Sequence, residues 1–310
     1  MKAARLYGPG DLRVDDVPKP EPGPGDVLVQ IEVALTDGTD LKTYRRGHPL
    51  LARESPAPFG HEFCGIVDGR RVVAANSAPC RACPGCVRGG QCERLEFLAG
   101  AYADWLVVPE RIAGVNLLDV PAGLAPEVAA MVEPLACCLR GVERAGIQAG
   151  DKVAILGAGP VGLSLAACVA DAGGWPVVVG GREERRALAA EFGALLEESG
   201  EADVVIEAAG SEDAWRDAVS LARPGGTVVL FGGLPREARP AIDAYRLHYE
   251  ELTLRGSFHH TPATVRAALG FLASGAYPWE RLVTHRVLLA DLPALFADPP
   301  RDLLKAAVVP

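Results

Sequence analysis

Positive charge is scarce in this 310-residue chain, and lysine scarcest of all. Five lysines and 26 arginines face 40 acidic residues, for a formal net charge of −9. That balance argues against nucleic acid or an anionic membrane as the main partner, since a polyanion needs a basic footprint. An apolar leader is not visible either. Met1-Lys2-Ala3 runs straight into an alternating, strand-like segment, so no signal peptide is expected and the chain reads as cytoplasmic. No internal repeat or low-complexity tail is evident. One run, Val153 to Ala170, has 18 residues without a charge between Lys152 and Asp171, long enough to span a membrane. Glycines at 157, 159 and 162 fit it to a different structure.

What is present is the composition of a soluble globular protein, 49% hydrophobic and 23% charged, with length enough for two cores. The first third is rich in Pro, Gly and short alternating runs. Val27–Val33, Val72–Ala74 and Trp105–Val108 read as strands, and PKPEPGPGD (18–26) as a stiff connection, so a small antiparallel barrel or sandwich is expected. Near residue 121 the character changes. Leu124–Ala145 has helical periodicity, with Pro126 and Glu127 in a plausible first turn. Strands at 153–156, 177–179, 204–207 and 228–231 then alternate with helices near 161–172, 183–192 and 212–222. That order implies a parallel, doubly wound sheet. A further helix (262–274) and short strands complete the chain.

Lys152–Leu156 followed by Gly157-Ala158-Gly159-Pro160-Val161-Gly162 is a strand entering a glycine turn and a helix. The first glycine permits the turn, the second lets a pyrophosphate approach the backbone, and the third lets helix pack on strand. Free N–H groups at the helix start then face the phosphates. The competing reading is a packing turn alone. An NAD site would end its second strand in an acid for the ribose hydroxyl. Here Val177–Val179 runs into Gly180-Gly181-Arg182, with Arg185 and Arg186 beyond, which suits a 2′-phosphate and favours NADP over NAD. The bland alternative pairs these arginines with Glu183 and Glu184.

Four of the eight cysteines, Cys80, Cys83, Cys86 and Cys92, lie within 13 residues. Without a secretion signal, clustered thiols point to metal more than to disulfide. Structural zinc wants four thiolates in a closed tetrahedron, and such a site can hold a loop with little core of its own. Disulfides, an empty thiol cluster or an iron–sulfur centre are the alternatives. His61-Glu62 and Glu133-Pro134 place further polar groups in apolar surroundings, where burial is costly without partners.

Taken together, GHE (60–62), the four-Cys lobe, EPLA (133–136), GAGPVG (157–162), DVVIEAAG (203–210), GGTVVLFG (225–232) and LRGSFHH (254–260) resemble the zinc-dependent medium-chain dehydrogenase/reductases, a family of alcohol, polyol and sugar dehydrogenases. The resemblance implies an α/β protein. A GroES-like catalytic domain is expected from 1–122 and 258–310, with a structural zinc lobe at 78–94, and a Rossmann domain from 123–257. It implies a catalytic zinc held by Asp37, His61, Glu62 and Glu133, with Thr39 relaying the substrate proton and Asp40 as a structural support. It adds Ala209 to the cofactor contacts Gly157, Gly159, Pro160, Val161, Gly162, Gly181, Arg182 and Arg186.

Asp37 stands where most relatives have cysteine, in an Asp-Gly-Thr-Asp loop similar to that of some glucose dehydrogenases. A hard carboxylate replaces a soft thiolate, so a weaker, less selective zinc site is expected. Lys42 replaces a family histidine, and the last lobe cysteine comes two residues early. The implied activity is hydride transfer between a polyol, sugar or other alcohol and NAD(P), in a homodimer or homotetramer. A zinc-free quinone or enone reductase, and a non-catalytic NADP-binding protein with a degenerate metal site, are the alternatives.

Overall fold

The computed structural model describes residues 1–48, 54–196 and 200–310. The chain forms two compact units, Met1–Glu133 with Thr261–Pro310, and Pro134–His260 inserted between those segments. The first unit reaches past residue 122 because the short helix Pro126–Ala129 packs against the strands Val27–Leu35 and Glu62–Val67.

The first unit is built around Val27–Leu35. Its alternation buries Val29, Ile31 and Val33 while Gln30 faces outward. The strand pairs antiparallel with Trp105–Val108 along residues 27–30 and with Glu62–Val67 along 30–35. Lys305–Val309 joins it at residues 34 and 35. Leu35 therefore stands opposite both Glu62 and Ala307. This register brings the chain leaving at Thr36-Asp37, the chain entering at His61-Glu62 and the start of the last strand to one end of the sheet. A second, three-stranded sheet runs Asp11–Asp16, Lys2–Gly8, Ala57–Pro58. Leu6, Ile31, Phe63, Leu106, Val108 and Phe296 belong to the apolar core of this unit.

In the second unit five parallel strands stand in the order Trp175–Val179, Lys152–Leu156, Ala202–Glu207, Ala222–Leu230, Thr253–Gly256. The first strand in sequence, Lys152–Leu156, stands second, between its next two successors. Leu156 is level with both Val179 and Glu207, so the chain leaves the sheet at its topological switch point. The uncharged run is thereby divided between a buried strand and the 12-residue helix Pro160–Asp171. Among the described residues no helix is long and apolar enough to cross a membrane.

One element differs from expectation. The single helix expected over 124–145 is two, Pro126–Ala129 and Val132–Ala145. Pro134 has no N–H to give to the carbonyl of residue 130, and its ring would crowd that carbonyl. It fits only in the first turn of a new helix, where the missing donor costs nothing.

Candidate metal and cofactor sites

Asp37 begins the helix Gly38–Arg46 as its N-cap, with Oδ1 accepting from the backbone N–H of Asp40 at 2.7 Å. Its other oxygen, Oδ2, is 3.8 Å from His61 Nε2. Ligand atoms of Asp37, His61 and Glu62 all lie within 4.8 Å of one another. Around a tetrahedral zinc, nitrogen and oxygen ligands stand about 3.4 Å apart, so a small contraction fits the set to an ion. Glu133, buried in the first turn of Val132–Ala145, stands outside that triple but near enough for its charge to act on His61.

His61 is fixed from behind. Asp40 Oδ1 lies 3.1 Å from its Nδ1, and Tyr102 donates a short hydrogen bond to Asp40 Oδ2. An imidazole whose Nδ1–H is held by a carboxylate presents the Nε2 lone pair to a metal. Burial works against a charged His61, but Asp40 and Asp37 outweigh it and raise His61 well above the usual imidazole value. Asp40 itself is raised, by burial and by Asp37. Asp37 is lowered: its burial is outweighed by His61, Lys305, the Asp40 N–H and the Thr39 hydroxyl.

Glu62 has a partner that sequence reasoning missed. Lys305 Nζ donates to both of its oxygens, at 2.7 and 2.6 Å, and to the Thr36 carbonyl at 3.2 Å. Burial pushes Glu62 up to about 8 against the pull of Lys305, while Glu62 and Asp37 raise Lys305 against its own burial. These two directions disagree about the proton, and the two-oxygen contact decides for the ionised pair. Asp37, Asp40 and Glu62, all of low exposure, thus share the region with two bases, His61 and Lys305. Acids outnumber bases there, which suits a bound cation. The donor set fits zinc.

The lobe is the second candidate. Its sulfurs all lie within 4.8 Å of one another, with Cys80 Sγ 4.0 Å from Cys86 Sγ and Cys83 Sγ 3.9 Å from Cys92 Sγ. Four thiolates around zinc stand about 3.8 Å apart, so the early fourth cysteine still closes the tetrahedron. None of the eight cysteines, all among the described residues, is in a disulfide. Backbone N–H groups of Cys86 and Glu93 point at Cys83 Sγ and lower its pKa to about 6, favouring the thiolate a metal needs.

At the glycine turn, a Cβ on Gly162 would stand 1.8 Å from the Gly157 carbonyl oxygen, so only glycine lets the helix approach its strand. Pro160 and Val161 open the helix with Gly159 as N-cap, which presents free N–H groups to a pyrophosphate. Gly181 lies against Ala158 and Ala209 against Gly157, so the three loops meet at the carboxyl ends of the strands. Arg182 stands at the N-cap position of the helix Glu183–Ala189 without a side-chain cap bond, and Arg186 lies in its last turn. Glu207, fully buried, accepts from Gly210 N–H at 2.6 Å and Gly232 N–H at 3.1 Å. Its signal was an acid ending the apolar run of DVVIEAAG. The arrangement fits a dinucleotide.

A nucleotide-binding oxidoreductase is the class that a parallel sheet with this turn, together with a buried cluster of acids around a histidine, suggests. Residues 23–121 match the alcohol dehydrogenase GroES-like domain and residues 160–274 the zinc-binding dehydrogenase family. L-galactonate-5-dehydrogenase of Escherichia coli (strain K12) is 31% identical over 308 residues, covering 88% of this chain and 87% of its own. Sorbitol dehydrogenase of Halalkalibacterium halodurans is 29% identical, covering 92% and 91%. The NADP-bound structure of a zinc-binding dehydrogenase from Sinorhizobium meliloti 1021 superposes with a TM-score of 0.89 at 33% identity, over 100% of this chain and 99% of that one. This chain belongs to the zinc-dependent medium-chain dehydrogenase/reductases, with a GroES-like domain and a Rossmann domain.

Proposed function

We propose that the protein oxidises a polyol or sugar hydroxyl reversibly, passing the hydride to NADP and releasing the hydroxyl proton, with Asp37, His61, Glu62 and Glu133 as the ligands of its catalytic zinc. The observation that carries this is the convergence of Asp37, His61 and Glu62 in a region with more buried acid than base. Zinc bound there would supply Lewis-acid polarisation of the substrate oxygen. Asp37 offers Oδ2 while Oδ1 keeps the helix cap, and Asp40 aims His61. Lys305 holds Glu62 beside the ion, which leaves Glu133 to complete the set. Thr39, whose hydroxyl lies near enough to help lower the Asp37 carboxyl, is the outlet for the substrate proton. Cys80, Cys83, Cys86 and Cys92 hold a structural zinc.

The polyol and sugar reading is supported by relatives that carry such names, L-galactonate-5-dehydrogenase and sorbitol dehydrogenase among them. NADP is favoured over NAD by the missing acid after Val179 and by Arg182 and Arg186. A cytoplasmic location suits clustered thiols kept reduced for a metal. Assembly as a homodimer or homotetramer follows from family likeness alone. The test is a broad panel of polyols and sugars given to the zinc-loaded protein with NADP and with NAD. Reduction of either cofactor by a panel member is expected, and no reduction with any of them would overturn the proposal.

A further inference from the structure

We infer that Tyr102 is a positioning residue of the metal site, acting through Asp40 to hold His61 with Nε2 toward the ion. This rests on the reading of Asp37, His61 and Glu62 as a metal centre. Asp40 is 2% exposed, and its two oxygens have different partners. Oδ1 meets His61 Nδ1 at 3.1 Å, and Oδ2 takes the short hydrogen bond from Tyr102. Without the phenol, Oδ2 would have only the buried protein interior around it, and the carboxylate could turn about its χ2.

Tyr102 is itself well placed to hold that carboxylate. Its hydroxyl also contacts the Leu35 carbonyl at 3.0 Å, two residues before Asp37. Its ring lies edge-on to Phe59 and Phe296, with centroids 5.6 and 6.3 Å away. Its backbone N–H bonds to the Phe59 carbonyl, and the N–H groups of Gly100 and Ala101 bond to the Gly60 carbonyl. The segment therefore lies directly on the turn that delivers His61. Gly60 has φ +85°, and a Cβ there would stand 2.6 Å from the Tyr102 ring, so the glycine of the GHE motif makes room for this tyrosine. Shape alone does not need the hydroxyl, because phenylalanine would fill the same space. What the hydroxyl adds is a fixed carboxylate behind the histidine. Removing such a partner typically weakens metal binding about 10–100-fold.

The test compares wild type, Tyr102→Phe, Asp40→Asn and the double variant, each with the cysteine lobe intact. Zinc per chain is measured first, then zinc affinity at the weaker site by chelator competition, then the visible spectrum after cobalt is placed in that site. Wild type is expected to hold two ions. Both single variants should bind the second ion about 10–100-fold more weakly with an altered cobalt spectrum, and the double variant should lose no more than Asp40→Asn. Wild-type affinity and spectrum in Tyr102→Phe overturn the inference alone, and so do effects that add in the double variant. A wild-type chain that takes up only the lobe ion overturns the metal-site reading, and this inference falls with it.

Discussion

Asp37 divides its two oxygens between the helix cap and His61, Oδ1 capping Gly38–Arg46 and Oδ2 facing the imidazole. A thiolate would serve zinc better and the cap worse. Asp37→Cys is therefore expected to bind the second zinc at least about tenfold more tightly. The same change should destabilise the metal-free site by about 1 kcal/mol through the lost cap. Chelator competition and urea unfolding measure the two effects. His61 gives the site its pH dependence. With its pKa raised well above 6.5 in the metal-free protein, a proton competes with zinc at neutral pH. Zinc affinity should fall about tenfold per unit as pH drops below that value. In the metal-free protein the ion pair's stabilisation is complete below the unfolded histidine pKa and is lost as pH rises through the raised one. Thermal unfolding at several pH values should show that alkaline loss without zinc and its absence with zinc bound. The GHE motif announced the histidine and Asp40 was expected as a support. That Asp40 supports His61 in particular needed the fold, because 21 residues separate them.

At the scale of elements, the last strand finishes the metal region. Lys305–Val309 pairs with Val27–Leu35, and its first residue neutralises Glu62 across 243 positions of sequence. Thr36 ties the two chains further, since its hydroxyl accepts from Ala306 N–H at 2.8 Å. Removing one partner of a buried pair costs more than removing both. Lys305→Met is expected to destabilise the protein by about 3–5 kcal/mol, and adding Glu62→Gln to recover most of that, as urea unfolding would measure. No local pattern carried this pair. A lysine in LLKAAVV reads as a strand edge until the register sets it opposite the Asp37 loop. The glycine turn and the four-cysteine cluster were legible because each closes within about a dozen consecutive residues. The helix break before Pro134 was legible in principle, since the proline rule is local, but the apolar periodicity on both sides masked it.

At the scale of the whole molecule, the proposed metal ligands all lie in the discontinuous β-rich unit and the glycine turn lies in the inserted one. Cofactor binding can therefore be read through stability without knowledge of the substrate. A ligand that binds only the folded state stabilises it by RT times the logarithm of one plus its concentration over Kd, about 2.7 kcal/mol at a hundred times its Kd. The strand Trp175–Val179 delivers Gly180-Gly181-Arg182 to the carboxyl end of the sheet, where a ribose-binding acid would otherwise stand. A 2′-phosphate at that position adds charge-assisted hydrogen bonds to guanidinium, while a 2′-hydroxyl finds no carboxylate to accept its proton. At equal concentration NADP should thus raise the unfolding temperature more than NAD. Arg182→Ala with Arg186→Ala should remove most of the difference while leaving the NAD shift nearly unchanged. Equal shifts for the two cofactors in the parent protein would show that the arginines serve their own helix and not the nucleotide.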